Sequence, residues 1–113
     1  MNDKEQIENL VKTYFEKFSN KDIEGIEGLF SDDVILQDWD ILAKGKKEVV
    51  DANKSIFDSV NSISVTLNSL YLVGLVAICL IKIIVNNEET LKVIDVIKLN
   101  DEKKITEISA YKQ

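Results

Sequence analysis

The chain has 113 residues, 45% of them hydrophobic and 30% charged, with 14 Lys+Arg against 20 Asp+Glu and a net charge of -6. Such a composition fits one globular domain, expected over residues 1–113, and excludes a disordered or fibrous chain. A surface of net negative charge repels phosphate backbones and anionic lipid heads, so neither nucleic acid nor a membrane is expected as a partner.

All 14 cations are lysines and histidine is absent. The bidentate guanidinium clamp is therefore missing, as are His-based bases, Ser/His/Asp and Cys/His triads and the commonest metal ligand. No metal ion or cofactor is called for. Cys79 is the single cysteine and cannot form an internal disulfide, and the N-terminus does not resemble a signal peptide. A reducing cytoplasm is the expected location.

In chain order, Ile7, Leu10, Val11, Tyr14, Phe15 and Phe18 recur at i, i+3, i+4, i+7, i+8 and i+11, the apolar stripe of an amphipathic helix. Ser19 to Asp22 supply a turn and a cap for a short second helix, with Ile23, Ile26, Leu29 and Phe30 as its buried face and Ser31 to Asp33 as its stop. Val34 to Trp39 reads as a first strand. Gly45 then opens a third helix bearing Val49, Ala52, Asn53, Ile56, Phe57 and Val60 on one side, with Asn53 the odd member of that face.

From Ser62 the period changes to two. The run Leu70 to Val85 is too short, too β-branched and too interrupted, by Gly74 and Lys82, for a membrane helix, and reads as two strands joined near Gly74. Turns are expected at residues 86–89 and 100–104, and a last strand from Ile105 to Tyr111. Ile105 and Ile108 stand three apart, which predicts a β-bulge between them. Helices followed by a four-stranded meander make an α+β domain, its mainly antiparallel sheet covered on one face by the helices.

Three polar residues fall on faces where apolar ones are expected. In KVIDVIKL, residues 92–99, Val93, Asp95, Ile97 and Leu99 share the face opposite Lys92 and Lys98, so Asp95 points inward. Without a partner there, desolvation favours its neutral, proton-donating form; its ordinary reading is an Asp bonded to nearby hydroxyls or facing a subunit interface. Asp38 ends the first strand on the face of Val34 and Leu36, as a half-solvated base or as a loop acid. Tyr14 lies on the buried stripe of the first helix, as a donor or as ordinary core. Together, a carboxylate base facing two neutral hydroxyl donors is the equipment for moving a proton α to a carbonyl.

The stretches VKTYFEKFSNKDIEGIEGLFSDDVILQDW (residues 11–39), GKKEVV (45–50) and KVIDVIKLNDEKKITEISAY (92–111) resemble the ketosteroid isomerases of the nuclear-transport-factor-2-like, or SnoaL-like, superfamily. The resemblance implies a cone-shaped domain of three helices on a curved antiparallel sheet enclosing a pocket. It places Tyr14 on the family's oxyanion-hole tyrosine, Asp38 on its general base and Asp95 on its protonated oxyanion-hole acid, for which these isomerases are the standing example. Phe30 and Asn53 stand where bacterial members carry supporting tyrosines, Trp39 replaces the proline after the base, and the turn before the last strand lacks its usual glycine. Trp39, Asn53 and Phe30 are expected to contact the substrate. Dehydratases of the fold that use histidine and epoxide hydrolases that use an Asp-Arg-Asp set do not fit a chain lacking His and Arg.

The expected function is double-bond isomerisation of a small hydrophobic ketone. The alternatives are a non-catalytic binder of a small hydrophobic ligand and a polyketide-cyclase-like enzyme. The fold commonly pairs through its outer sheet face, and the surplus apolar residues between Leu70 and Val85 predict a homodimer.

Overall fold

A computed structural model describes residues 3–113. The elements are α1 (Asp3–Ser19), α2 (Ile23–Glu27), β1 (Phe30–Gln37), β2 (Leu42–Lys44), α3 (Lys46–Asp58), β3 (Ile63–Val73), β4 (Val76–Val85), β5 (Glu89–Leu99) and β6 (Ile105–Lys112). The strands form one curved, unclosed six-stranded sheet in the order β2-β1-β6-β5-β4-β3. β3 to β6 are the predicted antiparallel meander, and β1 joins it by pairing parallel to β6. No helix among the described residues is long and apolar enough to cross a membrane; Leu70 to Val85 forms the end of β3 and all of β4.

The stripe of α1 does what its spacing predicts: Ile7, Val11, Tyr14 and Phe15 are buried, with Leu10 and Phe18 packed beside them. Asp22 caps α2 by accepting a hydrogen bond from the Gly25 amide at 3.0 Å. The helix stops earlier than expected, at Glu27, and β1 begins at Phe30 instead of Val34. Sheet pairing takes these residues from the helix: the Ile105 amide donates to the Leu29 carbonyl at 2.8 Å, and Phe30 stands in register with Ile105. β1 also ends at Gln37, before Trp39. The three-residue β2 leaves no mark on the sequence pattern, because Ala43 is its one buried residue.

Bulges bend the sheet in β6 and in β3, and the register of β1 against β6 also shifts between Phe30 and Ile35. In β6, Lys98 pairs with Glu107 and Leu99 with Ile105, leaving Thr106 as the extra residue and bringing Ile105 and Ile108 both into the core, as the broken alternation predicts. In β3, Leu67 pairs with Ile81 and Ser69 with Leu80, so Asn68 is a second, unpredicted extra residue. The helices pack on the concave face, α1 against β3 and α3 against β1. Between helices and sheet lies the core, built on Phe30, Ile97, Ile105 and Ile108 among others.

Candidate active site

One end of this core stays open as a cavity of about 250 Å³. Its walls come from α1, the end of β1 with the loop after it, α3, and β3 to β6, and they are mostly aliphatic. Tyr14, Asp38, Asp40, Asn53 and Asp95 supply the polar side chains, with the indole of Trp39 beside them. Three residues expected to do the chemistry, from α1, the end of β1 and β5, thus meet in one apolar hollow.

Asp95 reaches it by strand parity. It stands opposite Cys79 on β4 and Ala110 on β6, between Val93 and Ile97 on the same face, and is 7% exposed. Burial first, and the nearby charge of Asp38 second, push its carboxyl up to about 7. A neutral carboxyl donates a hydrogen bond, and none is made by this side chain to any other described residue.

Tyr14 is buried, with its ring 5.3 Å from that of Phe15, 6.1 Å from Phe18 and 6.3 Å from Phe30. Desolvation, then the charges of Asp95 and Cys79, raise its phenol above the ordinary tyrosine value, so it too remains a donor. Its hydroxyl likewise has no hydrogen-bond partner among the described residues. Cys79 is buried behind Asp95, its thiol pushed up to about 12 by burial and by that carboxyl, and it does not line the cavity.

Asp38 follows β1 and is half-buried at the rim. Its Oδ1 accepts the backbone amides of Asp40 at 2.8 Å and Ile41 at 2.7 Å, and its own amide donates to the Ile41 carbonyl at 2.9 Å. This Asx turn fixes the carboxylate at the base of the loop while committing only one of its oxygens. Trp39, 41% exposed, forms part of the mouth, and the Lys112 ammonium sits 5.3 Å from its ring centroid. Lys112 was not singled out from the sequence, although two-residue alternation from Ala110 puts it on the cavity side of β6.

Of the three residues expected against the substrate, Trp39 and Asn53 line the cavity and Phe30 does not. Phe30 is 2% exposed, drawn into the core by its pairing with Ile105, and backs the ring of Tyr14. Its place is behind the donor, where it excludes water from that side.

The family model of the SnoaL-like domain matches residues 7–91. The chain belongs to the SnoaL-like family. No curated protein matches it. Among solved structures it is similar to a candidate ketosteroid isomerase from Kribbella flavida DSM 17836, at 16% identity, covering 96% of this chain and 78% of that one with a TM-score of 0.84. A candidate SnoaL-like polyketide cyclase from Shewanella denitrificans OS-217 gives a TM-score of 0.84 at 10% identity, covering 95% and 90%. A nuclear-transport-factor-2-like (NTF2-like) protein of unknown function from Cytophaga hutchinsonii ATCC 33406 gives 0.80 at 10%, covering 95% and 89%. At such identities the likeness is one of fold, and the SnoaL-like chain has the NTF2-like architecture expected from its sequence.

Proposed function

We propose that this SnoaL-like protein is a ketosteroid-isomerase-like enzyme that moves a carbon–carbon double bond into conjugation with the carbonyl of a small hydrophobic ketone. Asp38 takes a proton from the carbon between carbonyl and double bond. The electron pair passes to the carbonyl oxygen, which Tyr14 and protonated Asp95 hold as a dienolate oxyanion, and Asp38 returns the proton to the far end of the former double bond. Atoms balance without a cofactor, since substrate and product are isomers.

One observation carries the reading: two buried donors, Tyr14 and the neutral form of Asp95, line the same apolar cavity as a carboxylate, and neither bonds to another side chain or to backbone among the described residues. A cavity of about 250 Å³ favours a ligand at the small end of the usual range. The test is spectrophotometric: the protein should speed formation of the conjugated enone from a β,γ-unsaturated cyclic ketone, and Asp38→Asn should abolish the gain.

A second reading, a binder of small hydrophobic ligands that performs no chemistry, is favoured by the two backbone amides of Asp40 and Ile41 that donate to Asp38 Oδ1, which tie that oxygen into the loop. Tight binding of ketones without turnover would select it. In either case we propose that two copies pair through the outer face of the sheet.

A further inference from the structure

Asn53 sits on the buried face of α3, 2% exposed, among Val49, Val50 and Phe57. One turn away on either side its neighbours have apolar side chains, and among the described residues its Nδ2 has no hydrogen-bond partner. No bond to its Oδ1 occurs among the described residues either, so the carboxamide is unused in whichever orientation it is turned. An amide kept unbonded in an apolar site costs free energy, and asparagine is a poor helix former besides, so neither packing nor propensity explains it. The same residue lines the cavity together with Tyr14, Asp38 and Asp95. A ligand oxygen is what its chemistry lacks.

We infer that Asn53 is a specificity-determining residue that binds a second oxygen on the ligand, so that the preferred substrate is a dioxygenated ring ketone, a hydroxy ketone or a diketone, and not a simple hydrocarbon ketone. Nδ2 donates to that oxygen; where it is a hydroxyl, the hydroxyl also donates to Oδ1, and both ends of the amide are satisfied. The inference rests on the proposed anchoring of the first oxygen by Tyr14 and Asp95, since both contacts are assigned to one ligand in the same cavity. A hydrogen bond gained in this way is worth about 3- to 10-fold in affinity.

The test uses 2-naphthol, whose hydroxyl stands on an sp² carbon as an enol's does, against 2,6- and 2,7-dihydroxynaphthalene, with dissociation constants measured by ligand fluorescence. For at least one diol, the ratio of its affinity to that of 2-naphthol should drop about 3- to 10-fold from wild type to Asn53→Leu. Any statistical advantage of a symmetric diol cancels in this comparison, and general loosening of the protein weakens all three ligands alike. Should the leucine not pack, Asn53→Ala supplies the same ratio. Ratios equal in wild type and variant for both diols overturn the inference. Tyr14→Phe separates the two levels: if it weakens 2-naphthol while the ratios do not respond to Asn53, only the role of Asn53 falls. If Tyr14→Phe leaves 2-naphthol binding unchanged, or no naphthol binds, the anchor falls and the inference with it.

Discussion

The proton on Asp95 gives the protein a pH dependence with a definite sign. Unfolded, this carboxyl titrates near the ordinary aspartate value of about 3.9; folded, it titrates at about 7. The native state therefore binds the proton more tightly, and Asp95's contribution to stability is complete below the lower value, falls as pH rises, and is lost above about 7, at a cost of at most about 4 kcal/mol. In urea unfolding at pH 5 and pH 8, Asp95→Asn should remove this slope and be more stable than wild type at pH 8. Identical pH dependence in both proteins would show that Asp95 is not held neutral. Activity should follow the same proton, declining in wild type above about pH 7 while Asp95→Asn, whose amide donates at any pH, keeps a flat alkaline limb. Asp95 was legible in the sequence because β-strand parity needs only the flanking Lys92 and Lys98 to say which side is wet. Phe30 was not, since a contact with ligand and a place behind Tyr14 both suit a large apolar residue, and only its pairing with Ile105 decides between them.

At the scale of elements, turns carry a stability prediction in which one cause acts with two signs. Gly74, which joins β3 to β4, has φ +58°, and an added Cβ would meet nothing within 4 Å. Gly74→Ala should therefore cost about 1 kcal/mol from backbone strain alone. Lys103 has φ 62° in the turn between β5 and β6, the turn in which the family's usual glycine is missing. Its strain is held by local bonds: the Lys103 amide donates to the Asn100 carbonyl at 2.9 Å, and the Asn100 Oδ1 accepts from the amides of Glu102 and Lys104 at 3.0 Å each. Lys103→Gly should gain about 1 kcal/mol; thermal melts that move both variants in the same direction would contradict this. The long elements were readable because their periods persist: α1, α3 and the meander each repeat for several turns or alternations. What sequence reading missed is set by partners distant in the chain. β1 extends back to Phe30 through β6, the three residues of β2 exist only as an edge to β1, and the bulge at Asn68 shows only in the pairing with β4.

Across the whole molecule, the sheet has two faces with different partners. The concave face meets the helices and holds the cavity. On the convex face Tyr71, Ile78 and Val96 lie in one cross-strand row, and Leu80, Ile94 and Tyr111 in the next. Tyr71 and Tyr111 are exposed and the other four half-buried, a contiguous apolar patch of the kind that marks an interaction surface. In the proposed homodimer two such faces meet, so sizing chromatography at micromolar concentration should give a dimer, and Ile94→Lys a monomer. A monomeric wild type would count against the pairing. The family's architecture was legible because the dispersed stretches between residues 11 and 111 that resemble it include both helical and strand segments.

The proposed chemistry has its most direct test in one rate. Conversion of a β,γ-unsaturated cyclic ketone to its conjugated isomer, followed by ultraviolet absorbance at neutral pH, should run far above the buffer rate with wild-type protein, and Asp38→Asn should lower it by about 10² to 10⁴-fold. Wild type and Asp38→Asn at equal rates would contradict the assignment of Asp38 as the proton carrier.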